Sequence, residues 1–308
     1  MAYYLIAGAS GYVGSRLAMR LLNEGHRVRG LVRNSESELV EQLAARGMSV
    51  WTGDLTCADT LVGVADGVDY VLNITARLAL DNGSVRRTFV DGNQNLIAAC
   101  SRARTVRAYV FTSNVAAYGD AGDQLLDEDT SIRPTCALGA VMAEAEHTII
   151  NAARDQRFPA IILRVASIYG PERNLIAALE HGALTLYGDG HNFVSHIHID
   201  DLVEILARIP GEGTPGTIYN VGDDEPLRQY ELVAEVRRRM GMVPPRTFSP
   251  TVALQSGINP SVIAMLTASA RLSNARLKHD LALTLHYPSY YDWIDEQLPV
   301  TQEVAIGV

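Results

Sequence analysis

The sequence predicts an α/β fold: a doubly wound parallel sheet followed by a smaller, less regular C-terminal lobe. Three observations carry this reading. Short apolar runs alternate with stretches of helical periodicity through the first half of the 308 residues, the pattern of repeated βαβ units with right-handed crossovers. A glycine triplet joins the first apolar run to the first helical stretch. The second half holds prolines and weaker periodicity. The expected division is 1–170 for the domain that holds the sheet and 171–308 for the smaller lobe, the two interleaved, with a strand near 217–221 returning to the first domain.

The elements follow in order. YYLIAGA is apolar and bounded by Gly8, so it reads as a buried strand. Residues 12–24 space their apolar side chains as a helix does, and Gly25 stops them. HRVRGLVR is a strand, SELVEQLAARG a helix with a glycine stop, and MSVWTG and VDYVLNI are strands. Val85 to Arg102 is helical, VRAYVFTS a strand, 137–155 a long helix and PAIILRVA a strand. TIYNVG adds a strand and RQYELVAEVRRRMG a helix, while 242–270 reads as a separate small lobe.

Composition excludes several functions. The hydrophobic share is 47% and the charged share 20%, as in soluble globular chains. A net charge of −9 with no basic face argues against nucleic acid as partner. The triplet Arg237-Arg238-Arg239 reads as a solvated helix face. Cys57, Cys100 and Cys136 match no metal or redox spacing, so a reducing cytoplasm and no metal are expected. No apolar run approaches eighteen residues and no basic, apolar leader opens the chain, so no membrane span or signal peptide is expected.

Gly8-Ala-Ser10-Gly11-Tyr12-Val13-Gly14 lies directly between strand and helix. Glycine suits the turn's dihedrals and lets a pyrophosphate approach bare backbone. The following helix start offers free N–H groups and a positive dipole end. This context makes the segment a dinucleotide site. An acidic residue ending the second strand would bond the ribose 2′-hydroxyl of NAD. The chain has Arg33 and Asn34 there instead. A guanidinium suits the 2′-phosphate of NADP, so NADPH is the expected cofactor, with NADH possible.

With these motifs the chain resembles the extended short-chain dehydrogenase/reductase family, over nearly its whole length. GASGYVG resembles that family's glycine fingerprint. GDL resembles its adenine contact, here Asp54 and Leu55. VLNITA resembles the strand passing the cofactor ribose, here Thr75 and Ala76. FVDGNQNLIAAC, YVFTSNVAAYG, LRVASIYGP, YGDGHNFVSHIHIDDL and TIYNVG resemble later landmarks. The resemblance implies a Rossmann-like sheet, a substrate-binding lobe and nicotinamide chemistry.

The positions where the family carries its catalytic side chains are all replaced. Its asparagine falls at Phe89, its serine or threonine at Asn114, and its tyrosine and lysine at Leu138 and Met142. In the family the tyrosine donates the proton and the lysine tunes it. Of the 26 basic residues all but Lys278 are arginine, and Lys278 lies far along a C-terminal helical stretch. Ser113 neighbours the serine slot and is expected near the cofactor and a carbonyl. Tyr118 and Tyr169 are phenols in landmarks where a structural role is common. His196 and His198 alternate along an extended stretch, with no third metal ligand beside them.

The expected activity is therefore an atypical ketoreductase acting on a small aromatic ketone. The chain resembles the tailoring ketoreductases of actinomycete antibiotic pathways, whose aromatic polyketides carry a phenol beside the ketone. That phenol, with a pKa of about 10, would donate the proton. Arg77, Asn114, Leu138, Ser167 and His196 are the expected substrate contacts, and 77–86 and 172–193 the expected walls, the first folding over from a tight turn at DNG 81–83. An NADP-binding sensor or scaffold on the same fold is the alternative from another class. A sugar-nucleotide epimerase or dehydratase is the third reading, weakened by the missing tyrosine. The sequence is compatible with both a monomer and a dimer.

Overall fold

The computed structural model describes residues 1–76 and 82–299. Seven strands form one parallel sheet: β1 (Tyr3–Ala7), β2 (Arg27–Val32), β3 (Ser49–Thr52), β4 (Tyr70–Asn73), β5 (Ala108–Asn114), β6 (Ala160–Val165) and β7 (Ile218–Val221). Their order is β7-β6-β5-β4-β1-β2-β3. The chain thus winds outward in both directions from β1 and β4. That junction is a topological switch point, the place where ligands bind in open parallel sheets.

Each central strand is buried on both faces, which explains the unbroken apolar runs. Tyr4 and Ile6 of β1 enter one core with Leu17, Leu21, Leu202 and Leu206 from the helices Tyr12–Asn23 and Ile199–Glu212. Tyr3 and Leu5 enter the other with Leu96, Ala145 and Ile149 from Gly92–Ala103 and Ala137–Gln156. A third cluster, in the C-terminal half, gathers Tyr169, Leu179, Val236, Tyr287, Tyr290 and Trp293.

The TIYNVG strand does return to the sheet, beside β6. Three readings need correction. The helix expected from Val85 begins at Asn82, so Asn82 and Gly83 open a helix and not a turn. It carries a π turn at Arg87–Asp91 before Gly92–Ala103. Asn93 stabilises that widened turn by donating its side-chain amide to the Phe89 carbonyl. Nor is 242–270 a separate lobe. Thr247–Phe248 pairs with Leu186–Tyr187, and the helix Pro260–Thr267 packs on that strand and on Ala137–Gln156. Its Ser261 hydroxyl accepts from the Ala137 N–H at 2.6 Å, supplying one of the bonds the start of that helix lacks. The arginine triplet is partly spoken for: Arg238 and Arg239 pair with Glu235, and Arg239 also with Asp295.

Candidate functional site

The glycine loop spans the switch point. Gly8 sits at φ +92°, and a Cβ there would come within 3.2 Å of the Ile74 carbonyl and the Thr75 backbone. The loop therefore presses against the end of β4. A Cβ on Gly14 would lie 2.1 Å from the Gly8 carbonyl oxygen, so helix and loop touch through bare backbone. Gly11 caps the helix Tyr12–Asn23 without any side-chain hydrogen bond, and no acidic residue occupies the first turn. The first N–H groups are thus left for an anion. Ser10 and Gly11 are exposed, Tyr12 and Val13 half-buried, Gly14 buried. This is a cradle that side chains would fill, and it fits a dinucleotide pyrophosphate.

The other expected cofactor contacts line the same edge. Arg33 and Asn34 are exposed just beyond β2, and the Asn34 side-chain oxygen accepts from the Glu36 N–H. The Asp54 carboxylate accepts from the N–H and hydroxyl of Thr56 at 2.8 Å, while Leu55 is buried against Gly92. Thr75 and Ala76 follow β4. Behind them lies a buried network that the sequence reading missed: Asn73 donates to Asn93, whose side-chain oxygen also accepts from the Tyr109 hydroxyl. Asn73 in turn accepts from the Thr75 N–H, so the network holds the segment that the loop presses on.

Beside β5 the arrangement differs. Gly139 lets the helix Ala137–Gln156 touch the turn after Asn114, since a Cβ there would lie 2.1 Å from the Ala116 carbonyl oxygen. This brings half-buried Asn114 and Leu138 to one stretch of the carboxyl edge. The Asn114 side-chain oxygen accepts from the Ala116 N–H at 2.8 Å. That bond fixes which end of the amide can turn outward: its N–H donors. Met142 and Phe89 are buried and apolar. Ser167, exposed, follows β6 on the same edge. Arg77 lies outside the described residues, as does most of the expected wall before Asn82.

Two expected contacts are corrected. Ser113 faces the interior: its hydroxyl donates to Glu146, which also receives Arg164 at 2.8 Å. Alternation along β5 sends Ser113 and Asn114 to opposite faces. The signal was present in the sequence. An arginine inside the apolar strand AIILRV requires a buried anion, and Glu146 stands one helical turn beyond Met142. His196 and His198 do face one side, but both rings pack on Tyr169, with centroids 6.2 and 5.1 Å away. His196 is 7% exposed, and burial pushes its pKa down to about 4. It is a neutral interior ring.

Neither phenol is poised as an acid. The Tyr118 hydroxyl lies 2.8 Å from both the Asp127 carbonyl and the Asn220 side-chain oxygen, so its one proton already serves the interior. Tyr169 stacks on Tyr290 at 3.9 Å. Burial raises the pKa of both. Lys278 pairs with Asp224 at 2.7 Å. Among the described residues no His, Cys, Asp or Glu group could hold a metal ion, and no helix is long and apolar enough to cross a membrane.

The model of the NAD dependent epimerase/dehydratase family matches residues 4–222. The chain is 23% identical over 264 residues to a trifunctional UDP-glucose 4,6-dehydratase/UDP-4-keto-6-deoxy-D-glucose 3,5-epimerase/UDP-4-keto-L-rhamnose-reductase of Arabidopsis thaliana. That match covers 78% of this chain but only 40% of the plant protein, so the chain spans less than half of that relative's length. It is 29% identical over 257 residues to a 2-alkyl-3-oxoalkanoate reductase of Stenotrophomonas maltophilia, covering 77% of this chain and 75% of that one. Among solved structures, a dTDP-glucose 4,6-dehydratase of Streptomyces venezuelae with NAD and TYD bound matches with a TM-score of 0.81. It is 21% identical and covers 96% of this chain and 95% of that one, a likeness of fold.

Proposed function

The chain belongs to the NAD dependent epimerase/dehydratase family, and on that premise we propose that it is a ketoreductase, using NADPH in preference to NADH, for an aromatic ketone with a neighbouring phenol. One observation carries the reading: the edge beside β5 keeps a hydrogen-bond donor, Asn114, but holds no proton donor at Leu138 or Met142. A bound reduced nicotinamide supplies a hydride to a carbonyl.

The chain's own residues then do three things. The glycine loop and Thr75 would hold the dinucleotide at the switch point. The Asn114 amide donates to the ketone oxygen and stabilises the charge that grows on it. Leu138, with Met142 and Phe89 behind it, offers an apolar surface to flat rings. The remaining proton comes from the substrate's own phenol, held beside the nascent alkoxide. A positioned acid contributes roughly 10² to 10⁴-fold, and a phenol fixed next to the ketone needs little reorganisation.

The reductase of Stenotrophomonas maltophilia supports reduction of an oxo group. The UDP- and dTDP-sugar relatives support a second reading, a sugar-nucleotide substrate in the same crevice. NADPH deuterated at C4 separates them. Turnover of an aromatic polyketide ketone should place deuterium on the carbinol carbon. An unlabelled product overturns the ketoreductase reading, and conversion of UDP-glucose or dTDP-glucose without net loss of NADPH establishes the sugar one.

A further inference from the structure

We infer that Tyr12 is a positioning residue that ties the cofactor loop to the 171–180 wall of the substrate cleft, so that nucleotide binding orders that wall before the ketone arrives. The assignment of 171–180 as a wall rests on the proposed function; the tie itself rests on geometry. Tyr12 follows Gly11 directly and opens the helix whose uncapped start would hold the pyrophosphate. Its hydroxyl donates to the Pro171 carbonyl at 2.8 Å, across 159 residues of sequence.

The same turn is gripped at other points. The Arg16 guanidinium lies 4.0 Å from the centroid of the Tyr12 ring and 3.6 Å from the Glu172 carboxylate. Arg16 also donates to the Tyr12 carbonyl at 3.0 Å, so ring, guanidinium and helix form one unit. That ion pair is exposed and contributes little by itself. The hydroxyl is the stronger tie. Gly170 leaves room for it, since a Cβ there would come within 3.1 Å of the Tyr12 oxygen.

The turn does not reach this shape unaided. Glu172 holds φ +68°, a left-handed conformation that costs a non-glycine residue free energy. Such a residue persists where its surroundings over-determine it, and here they do. Gly170 and Arg173 exchange backbone hydrogen bonds of 3.0 and 3.1 Å. Asn174 donates to the Gly170 carbonyl and caps the helix Leu175–Glu180. The Leu175 N–H donates to the Tyr290 hydroxyl, and Tyr290 stacks on Tyr169. The wall is therefore bolted to the C-terminal lobe on one side, and through Tyr12 to the dinucleotide loop on the other. A phosphate that fixes the start of the helix Tyr12–Asn23 also fixes the tyrosine ring, and with it the turn.

Amide hydrogen exchange on the full chain, with and without saturating NADPH, tests this. In the unaltered protein NADPH should slow exchange in 8–16 and also in 171–180. Tyr12→Phe keeps the ring under Arg16 and loses only the hydroxyl. It should retain the first protection and lose at least fivefold of the second. Arg16→Gln, which frees the ring and Glu172, should lose part of the second. With a turned-over ketone, Tyr12→Phe should raise KM about fivefold, and because the coupling is reciprocal the NADPH Kd should weaken by about the factor of protection lost in 171–180; a merely structural residue would lose the protection of 8–16 as well. No NADPH effect on 171–180 in the unaltered protein, or full protection in both variants, overturns the inference. Absence of ketone turnover would sink the proposed function and leave the exchange result standing.

Discussion

The crevice between β1 and β4 and the edge beside β5 stand on one sheet, yet they are built from different materials. In the crevice the work falls to backbone. Gly8, Gly11 and Gly14 supply contact by having no side chain, and no substitution is compatible with distances such as the 2.1 Å between a Gly14 Cβ and the Gly8 carbonyl. Beside β5, on the proposed reading, the chemistry rests on side-chain tips, and such tips can change while the frame holds. Gly139 seats the helix Ala137–Gln156 against the turn after Asn114, Glu146 neutralises Arg164, and Leu138 stands where the sequence resemblance would put a tyrosine. A site made of backbone cannot drift without the fold; a site made of side-chain tips can.

Gly14→Ala attacks the backbone half. A methyl 2.1 Å from a carbonyl oxygen must push loop and helix apart. Overpacking costs about 1–3 kcal/mol, and a clash this close lies at the upper end, so a loop displaced from its cradle should lose roughly a hundredfold in nucleotide affinity. Fluorescence titration with NADPH reads it directly. A loss below tenfold would mean the loop is not the rigid cradle described.

His196 tests the finding that its ring belongs to the interior. Its folded pKa of about 4 lies below the ordinary 6.5, so the folded chain resists taking up that proton. The stability this reflects is fully present above pH 6.5 and is lost as pH falls from 6.5 toward 4, by about 3 kcal/mol at most. Asp223 works the other way. Burial raises its pKa, so its contribution favours folding at low pH and fades as pH rises above the ordinary carboxylate range. The two slopes oppose one another between pH 4 and 6.5, and the unaltered protein should show a shallow profile there. Subtracting the stability of His196→Gln isolates the histidine. Urea unfolding should show the variant gaining on the unaltered chain by about 2–3 kcal/mol between pH 7.5 and 4.5. A constant difference across that range would mean the ring is hydrated and able to meet ligands.

Arg33→Ala sharpens the cofactor side. A guanidinium paired with a 2′-phosphate contributes about 2 kcal/mol, so the preference for NADPH over NADH should shrink roughly thirtyfold. Equal Kd values for the two nucleotides in the unaltered protein would remove the basis for the preference.

The same contrast explains what could be read from the sequence. The sheet, its strand sequence and the glycine cradle were legible because each rests on local pattern: two-sided burial in YYLIAGA, glycine spacing, and the alternation of strand and helix. The direction of Ser113 was not, because a motif places a residue near a site without saying which face of the strand it takes. Arg164 carries the missing signal, because a buried guanidinium demands an anion, and Glu146 supplies it. The fate of His196 depended on Tyr169 and Tyr290, which come together with it only in three dimensions. The helix from Asn82 escaped because Asn-Gly is a turn signal when read locally, and tertiary packing overrode it.

The smallest expected effect is the most telling about the proton. If the substrate phenol is the acid, Tyr118→Phe and Tyr169→Phe should each leave kcat within about tenfold, well short of the 10²–10⁴ that a true general acid supplies. The geometry agrees. Tyr118 spends its proton between Asp127 and Asn220, and Tyr169 lies in a stack with its pKa raised by burial. Neither can give up that proton to a ketone without breaking an interior contact. The matching experiment alters the substrate: methylating the phenol removes the proton and keeps the rings, and should cost kcat the whole factor that the tyrosines do not. Should either phenylalanine variant lose over a hundredfold while the methyl ether still turns over, the acid is that buried tyrosine, and the substrate-assisted reading of the edge beside β5 fails.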